Sequence, residues 1–500
     1  MKEWTKEELK RIYSEDDREE LEALHEEISH SRWREDYHIQ TVTGLMNDPN
    51  GFSYFDGKWH LFYQWFPYGG VHGMKHWYHV VSDDLLHWKN IGLAIKPDTV
   101  YDNCGCYSGS GFVKEEYLYL VYTGNHREPD GQRIPYQMIA AMDKENHISK
   151  LRQPIILPHE EYTEHQRDPH IFFENDYYWI LLGAQDEGLT GHLLLYRSEQ
   201  IAVGWEFYGE LKVKGYEDGF GYMAECPDIE KIGDKWLLLF SPQGYEPQGD
   251  EFRNKCQNVY MIGDLDLEKR TFTPDAPMKE LDRGFDFYAA QCANQKVFGN
   301  AAVLAGWFGV SGSETPATDE EGWSHLQTLP RILTIKDGKL IQKPVPSADA
   351  LKGNLLFEAK DGKIVFDNMH GRMAESCVIR VDDPGDESVE LNLFSRPRKN
   401  GFVIKYDHNS RYLTIDRGDL NHQMNTEYGT DRRIYLEEGL SALDIFVDHS
   451  SVEIFVNDGE YVMSSRYFAD EEEHLIRMRG KDISLSIWKA RKTVEDDFVI

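Results

Sequence analysis

The sequence predicts an all-β protein: a five-bladed β-propeller followed by a C-terminal β-sandwich, with a short N-terminal helix. Three observations predict it. A hairpin pattern recurs five times at a spacing of about 60 residues. Helical periodicity nearly vanishes after about residue 30. Aromatic content is 13%, with 28 Tyr, 24 Phe and 12 Trp, which suits strands and a ligand of mixed polarity. Five hundred residues exceed one ordinary hydrophobic core and call for at least two domains.

The first segment, 1–35, is helical, with one helix over residues 5 to about 30. Thr5 and Glu8 form a capping-box pattern, and Leu9, Ile12, Leu21, Leu24 and Ile28 make an apolar stripe. HEEISH within it spaces its histidines five apart, not the four of a zinc-protease helix, so it is a polar helix face. The hairpins begin at Tyr54 (YFDGKWHLFYQWF), Phe112 (FVKEEYLYLVYTG), Ile171 (IFFENDYYWILLGAQ), Ile229 (IEKIGDKWLLLFSPQ) and Gln295 (QKVFGNAAVLAGWFG). Each joins a short strand to an apolar strand through a polar turn such as DG, ND, GD or GN. A second unit, an inner strand, a turn and an outer strand, spans Trp77 to Trp88 and His192 to Trp205, with a looser copy from Asn258 to Phe272. Hairpin and partner strands make four-stranded blades, and five of them fill residues 36–342. KPVPSADALKG, residues 343–353, is a proline-bearing linker. Residues 354–500 then read as a β-sandwich of plain hairpins, including SVEIFVNDGEYVMSSRYF with its NDG turn, and serve a structural or accessory role.

A formal net charge of −33 argues against nucleic acid and against an anionic membrane surface. The start is charged from its second residue and has no apolar signal region, and no apolar run approaches a membrane span. Six cysteines without a CxxC pair read as reduced thiols, so the expected compartment is the cytoplasm. NDPNGF lacks the acids of a calcium loop, and SGSG lacks the spacing of a nucleophile elbow. No metal and no organic cofactor are implied. The expected partner is a small molecule, and oligomeric state is left open.

A propeller gathers the residues beside each blade's first strand around one axial funnel. Asp48, in GLMNDPNGF, lies before blade one's hairpin. Asp168, in HQRDPHIFF, lies before blade three's, and Glu225, in GYMAECPDIEKI, before blade four's. Alone, Asp48 reads as a turn residue among Asn47, Pro49, Asn50 and Gly51. Three acids in one blade position read as a site. Paired carboxylates suit glycosyl transfer, in which one attacks and the other protonates the leaving oxygen. Asn47 offers amide hydrogen bonds that keep Asp48 ionised, and Arg167 does the same for Asp168. Met223, Ala224, Cys226 and Pro227 give Glu225 the drier setting that a general acid uses.

MNDPNG, RDP and ECPD, in that order, resemble glycoside hydrolase family 32, the β-fructofuranosidases. The likeness runs nearly full length through CYSGSGF, DFYAAQ, GWFG, WSHLQTLPR and SSVEIFVNDGE. The resemblance implies Asp48 as nucleophile on the fructosyl anomeric carbon, Glu225 as acid/base and Asp168 as stabiliser of an oxocarbenium-like transition state, in a retaining double displacement. It also implies that Asn47, Gln64, Trp77, Tyr107, Ser108 and Arg167 line the sugar, with Trp307 as an aromatic wall and Leu45 and Met46 beside Asn47. The chain departs from the family at Leu45, where Trp is usual, at Tyr78, where Gly is common, and in DFYAAQ for DFYAPQ.

TGNHREPDGQRIPYQ carries Arg127 and Arg133. An arginine-bearing loop running into RIPYQ is similar to the family members that cleave sucrose 6-phosphate. Guanidinium forks suit phosphate, and Lys75, His72 and His76 are expected to add to the patch. The implied reaction turns sucrose 6-phosphate into glucose 6-phosphate and fructose. Open alternatives are a hydrolase of sucrose or short fructo-oligosaccharides, a fructosyl transferase, and a carbohydrate-binding propeller without turnover.

Overall fold

The computed structural model describes residues 2–293, 296–359, 364–367, 376–382, 384–385, 387–480 and 483–500. Five antiparallel blades run outward from first strands Gly44–Phe55, Cys106–Lys114, Tyr162–Glu174, Met223–Ile232 and Tyr288–Cys292. The DG and ND turns hold both residues at positive φ, +47° and +81° at Asp56 and Gly57, +53° and +64° at Asn175 and Asp176, as tight hairpins require. The second repeated unit supplies third and fourth strands, such as His76–Ser82 with Trp88–Ile95, so it lies farther from the axis than expected.

Each first strand packs against those of both neighbouring blades, and blade five's meets blade one's. Polar ties cross all five junctions. Asn50 Oδ1 accepts the Gly109 N–H (3.0 Å), Ser110 Oγ donates to the Pro169 carbonyl (3.0 Å), and Asp168 Oδ2 accepts the Cys226 N–H (3.0 Å). Asp228 Oδ2 accepts the Cys292 N–H (2.7 Å), and Gln291 Oε1 accepts the Phe52 N–H (3.0 Å). Trp323–Ser324, from the connection inside blade five, pairs in parallel with Gly44 and Leu45 of blade one.

Blade five corrects one expectation. Its first strand is Tyr288–Cys292, while Val297–Asn300 form the turn before Ala302–Phe308. Gln295, the expected start, lies outside the described residues. The small side chains of Ala289, Ala290 and Cys292 carry no strand periodicity, which hid this strand.

Among the described residues the sandwich forms two six-stranded sheets. One of them is covered on both faces. Ile379, Ile445, Ile454 and Met463 face the sandwich core, whereas Val378, Phe446, Phe455 and Val462 join the core of blade one. Ser451–Val456 is accordingly buried at every position. A polar seam runs through this contact. His38 bridges Asp448 (3.0 Å) and Glu453 (3.1 Å), and Arg331 Nη2 reaches Asp282 and Glu453, both at 2.9 Å.

The N-terminal segment is two helices rather than one, Lys6–Leu9 and Arg18–Ser29, with a 3₁₀ turn at Glu15–Asp17. The break has a local cause. The Leu9 carbonyl accepts the Met74 N–H (2.7 Å), and the Tyr13 N–H donates to His76 Nε2 (3.1 Å), so both groups serve blade one. Ser14 and Asp17 then cap a fresh start. Among the described residues no helix is long and apolar enough to cross a membrane.

Candidate active site

In every blade the first strand carries a bulge in which two residues face one on the second strand. Asn47 and Asp48 face Gln64, and Tyr107 and Ser108 face Thr123. Asp168 and Pro169 face Leu182, Cys226 and Pro227 face Phe240, and Ala289 and Ala290 face Gly306. The three acids therefore do not share one position. Asp48 is the second bulge residue of its blade, Asp168 is the first, and Glu225 precedes the bulge, opposite Ser241. In blades three to five the first bulge residue is left-handed, with φ +67° at Asp168, +45° at Cys226 and +49° at Ala289. Bulges re-aim side chains, and here they turn acids toward one centre.

Asp48 Oδ1 accepts from Asn47 Nδ2 (3.1 Å), while Oδ2 accepts from Ser108 Oγ (2.5 Å) and Gln64 Nε2 (3.4 Å). Lys75 Nζ donates to Asn47 Oδ1 (2.6 Å), which fixes the direction of that amide. Burial pushes Asp48 above the ordinary carboxylate range, with Ser108 and Asn47 opposing and the Glu225 charge adding to the push. The Asn47 amide acts in the expected direction, favouring the charged form, but with Ser108 it offsets burial without overcoming it. Burial likewise brings Lys75 down to about 7 against the pull of Asp48.

Glu225 is held on both oxygens. Oε1 accepts from Arg167 Nε (3.1 Å) and Nη2 (2.7 Å), and Oε2 from Tyr288 Oη (2.6 Å) and Gln243 Nε2 (2.7 Å). The drier setting expected from Met223, Ala224, Cys226 and Pro227 is thus corrected: the carboxyl's own partners are the polar groups of Arg167, Tyr288 and Gln243. Arg167 serves Glu225 in the main and stands 4.0 Å from Asp168 Oδ2. Asp168 takes the Cys226 N–H instead and gives its own N–H to Thr123 Oγ1 (3.0 Å). Burial pushes Asp168 up to about 7, Arg167 opposes, and the charges of Glu225 and Asp48 add. Cys226 Sγ lies between the acids, 3.8 Å from Asp48 Oδ2 and 3.7 Å from Asp168 Oδ2.

Other expected site residues fall elsewhere. Leu45 and Met46 are buried in the core of blade one. Trp77 is a core ring beside Phe62 and Tyr122, and its N–H holds the Tyr107 carbonyl (3.1 Å). His76 is a satisfied core histidine. Lys75 and His72 (3.0 Å apart) sit on the Asp48 side rather than in a phosphate patch. Trp307 packs edge-on against Tyr288, behind Glu225. Sequence reasoning missed Tyr288, Gln243 and Cys226. Tyr288 occupies the same pre-bulge position as Glu225, a signal visible only once the register is known.

Arg127 and Arg133 pair across the second and third strands of blade two. Arg127 is exposed and bonds the Gly131 carbonyl. Arg133 lies over the Tyr107 ring (5.2 Å), and its Nε donates to Asn125 Oδ1 (2.8 Å). Its Nη2 is buried without a hydrogen-bond partner among the described residues. His165 stands between the Arg133 and Arg167 guanidinium groups, at 3.4 and 3.0 Å. A cleft lined by Arg127, Arg133, His159 and Tyr162 opens beside them.

Residues 38–344 match the glycosyl hydrolases family 32 N-terminal domain, and 350–489 match the family's C-terminal domain. The chain is 40% identical over 473 residues to a sucrose-6-phosphate hydrolase of Staphylococcus xylosus, covering 94% of each. It superposes on the sucrose-6-phosphate hydrolase of Lactobacillus gasseri with a TM-score of 0.91 at 37% identity, covering 98% of this chain and 100% of that one. A mutant Bombyx mori β-fructofuranosidase in complex with sucrose follows the same path, with a TM-score of 0.81 at 29% identity, covering 97% and 100%. Fold, family models and relatives agree: the chain belongs to glycosyl hydrolase family 32 and is a glycosidase of that family.

Proposed function

We propose that this glycosidase cleaves the β-fructofuranosidic bond of sucrose 6-phosphate to glucose 6-phosphate and fructose, and sucrose less well. In the first step the Asp48 carboxylate attacks the fructosyl anomeric carbon while Glu225 gives its proton to the bridging oxygen. The bond to glucose 6-phosphate breaks, and fructose remains as an ester on Asp48. In the second step Glu225 takes a proton from water, the water oxygen attacks the same carbon, and Asp48 leaves as carboxylate. Two inversions at one carbon retain its configuration.

The surrounding residues supply position and charge. Ser108, Gln64 and Asn47 aim Asp48, and Arg167, Tyr288 and Gln243 keep the Glu225 carboxyl from rotating. Asp168 places negative charge where positive charge grows on the anomeric carbon.

The observation that carries the phosphate reading is Arg133, whose buried Nη2, beside Tyr107, has no hydrogen-bond partner among the described residues, in a chain of net charge −33. A phosphate oxygen would satisfy that donor. The names of the relatives support the same reading. Arg133→Ala should lower kcat/KM on sucrose 6-phosphate by about 10–100-fold, the worth of a hydrogen bond to a charged group. On sucrose it should change little. Steady-state kinetics on both substrates decides, and equal losses would count against a phosphate contact.

A further inference from the structure

On the same two strands that carry Asp168 and Glu225, a second polar cluster lies next to the axis. His170 on Tyr162–Glu174, with Asp228 and Glu230 on Met223–Ile232, each present one donor atom, and these atoms lie within 4.8 Å of one another. The three residues are 1%, 1% and 7% exposed. Buried polar atoms are normally paired. Yet neither ring nitrogen of His170, nor Asp228 Oδ1, nor Glu230 Oε1 has a hydrogen-bond partner among the described residues. Asp228 Oδ2 takes the Cys292 N–H (2.7 Å), and Oδ1 is left 3.6 Å from His170 Nε2.

Asp228 has the Cys292 N–H and the His170 ring beside it, and Lys296 lends Glu230 some positive charge, yet burying these four atoms with no hydrogen-bond partner among the described residues is costly. A cation at their shared point removes that cost. We propose that His170, Asp228 and Glu230 bind a divalent transition-metal cation of the zinc or manganese class, which rivets blade three to blade four behind the acids of the active site. One imidazole nitrogen with two carboxylate oxygens suits such ions. Ligands about 2.0–2.2 Å from a tetrahedral ion stand about 3.3–3.6 Å apart, and the His170–Asp228 separation already has that value. The sequence hides the set, because His170 and Asp228 are 58 positions apart (228 − 170) and neither lies in a metal-ligand spacing. The role is positional: His170 is two residues beyond Asp168, and Asp228 three beyond Glu225.

The test uses full-length protein, stripped with a chelator, dialysed, and titrated with zinc chloride and with manganese chloride. About one equivalent of one ion per chain should survive gel filtration, measured by plasma mass spectrometry, and Tm should rise by about 2 °C or more. Glu230→Gln keeps the side chain's volume and should bind the ion at least about tenfold more weakly, without the rise in Tm. Cobalt loading should give visible absorption in the wild type and none in Glu230→Gln. Should Glu230→Gln fail to fold, His170→Gln takes its place in the same comparison. The proposal is overturned if neither ion is retained, if the folded variant retains it as well as the wild type, or if no ion moves Tm.

Discussion

The Glu225 carboxyl accepts four hydrogen bonds from three side chains, two of them from Arg167. Glu225→Gln keeps the shape and removes the transferable proton. Its kcat should fall by about 10²–10⁴-fold with KM little changed. Steady-state kinetics checks this, and near-normal turnover would remove Glu225 from its role. Asp168 makes a second prediction, in stability. Its carboxyl lies at about 7 in the fold against 3.8 ordinarily, first because it is buried. A folded value above the unfolded one means that ionisation disfavours the fold, increasingly as pH rises from about 4 to about 7. Asp168→Asn should therefore lose turnover yet unfold at a higher temperature than the wild type, by a margin that widens across that window and then levels off. Calorimetry from pH 4 to 8 reads the margin, and a pH-independent one contradicts the assignment. Acids inside compact motifs were legible in the sequence, as were Asn47, Gln64 and Ser108. Leu45, Met46 and Trp77 were misread because a strand residue beside a site can point into the core, and single-strand patterns do not say which way.

At the scale of the element, the bulge decides the site. Hairpins were legible, since turn chemistry and apolar runs are local signals. The bulge was not, because it depends on which residue of one strand faces which of the next. That is why the acids looked equivalent in sequence and stand one step apart in register. The broken N-terminal helix failed for a related reason: the groups that interrupt it belong to blade one. Gly109 tests the bulge of blade two. A Cβ there would meet the Val121 carbonyl oxygen at 1.9 Å, so Gly109→Ala must push that strand pair apart beside Ser108. The expected cost is about 1–3 kcal/mol of stability, with reduced kcat. Urea titration and turnover should change together, and unaltered turnover in a destabilised variant would show that Ser108 did not move.

Across the whole molecule, the sandwich braces the propeller through a buried ionic seam. Glu453 accepts from Arg331 Nη2 and the Leu329 N–H and pairs with His38, all of them outside the sandwich. Removing one member of a buried ion pair costs about 3–5 kcal/mol, so Glu453→Ala should lower unfolding stability by that amount in denaturant titrations. Burial opposes the His38 charge, yet the bonds to Asp448 and Glu453 hold the imidazole up at about 10. Its share of the stabilisation is complete below about 6.5 and fades as pH approaches 10, so the cost of Glu453→Ala should shrink over the same range. A cost that does not vary with pH would mean that His38 carries no charge. The sequence showed the sandwich only as plain hairpins, and the seam was illegible because each partner lies far away in the chain. The pairing of Trp323–Ser324 with Gly44 and Leu45 has a consequence in time. Some 279 positions separate these partners (323 − 44), so the contact that closes the ring has a very long sequence separation and forms slowly. During synthesis, the segment bearing Asp48 leaves the ribosome well before the strand that secures it. The acid proposed to start the chemistry is made early and waits for nearly the whole propeller before it has a place to work.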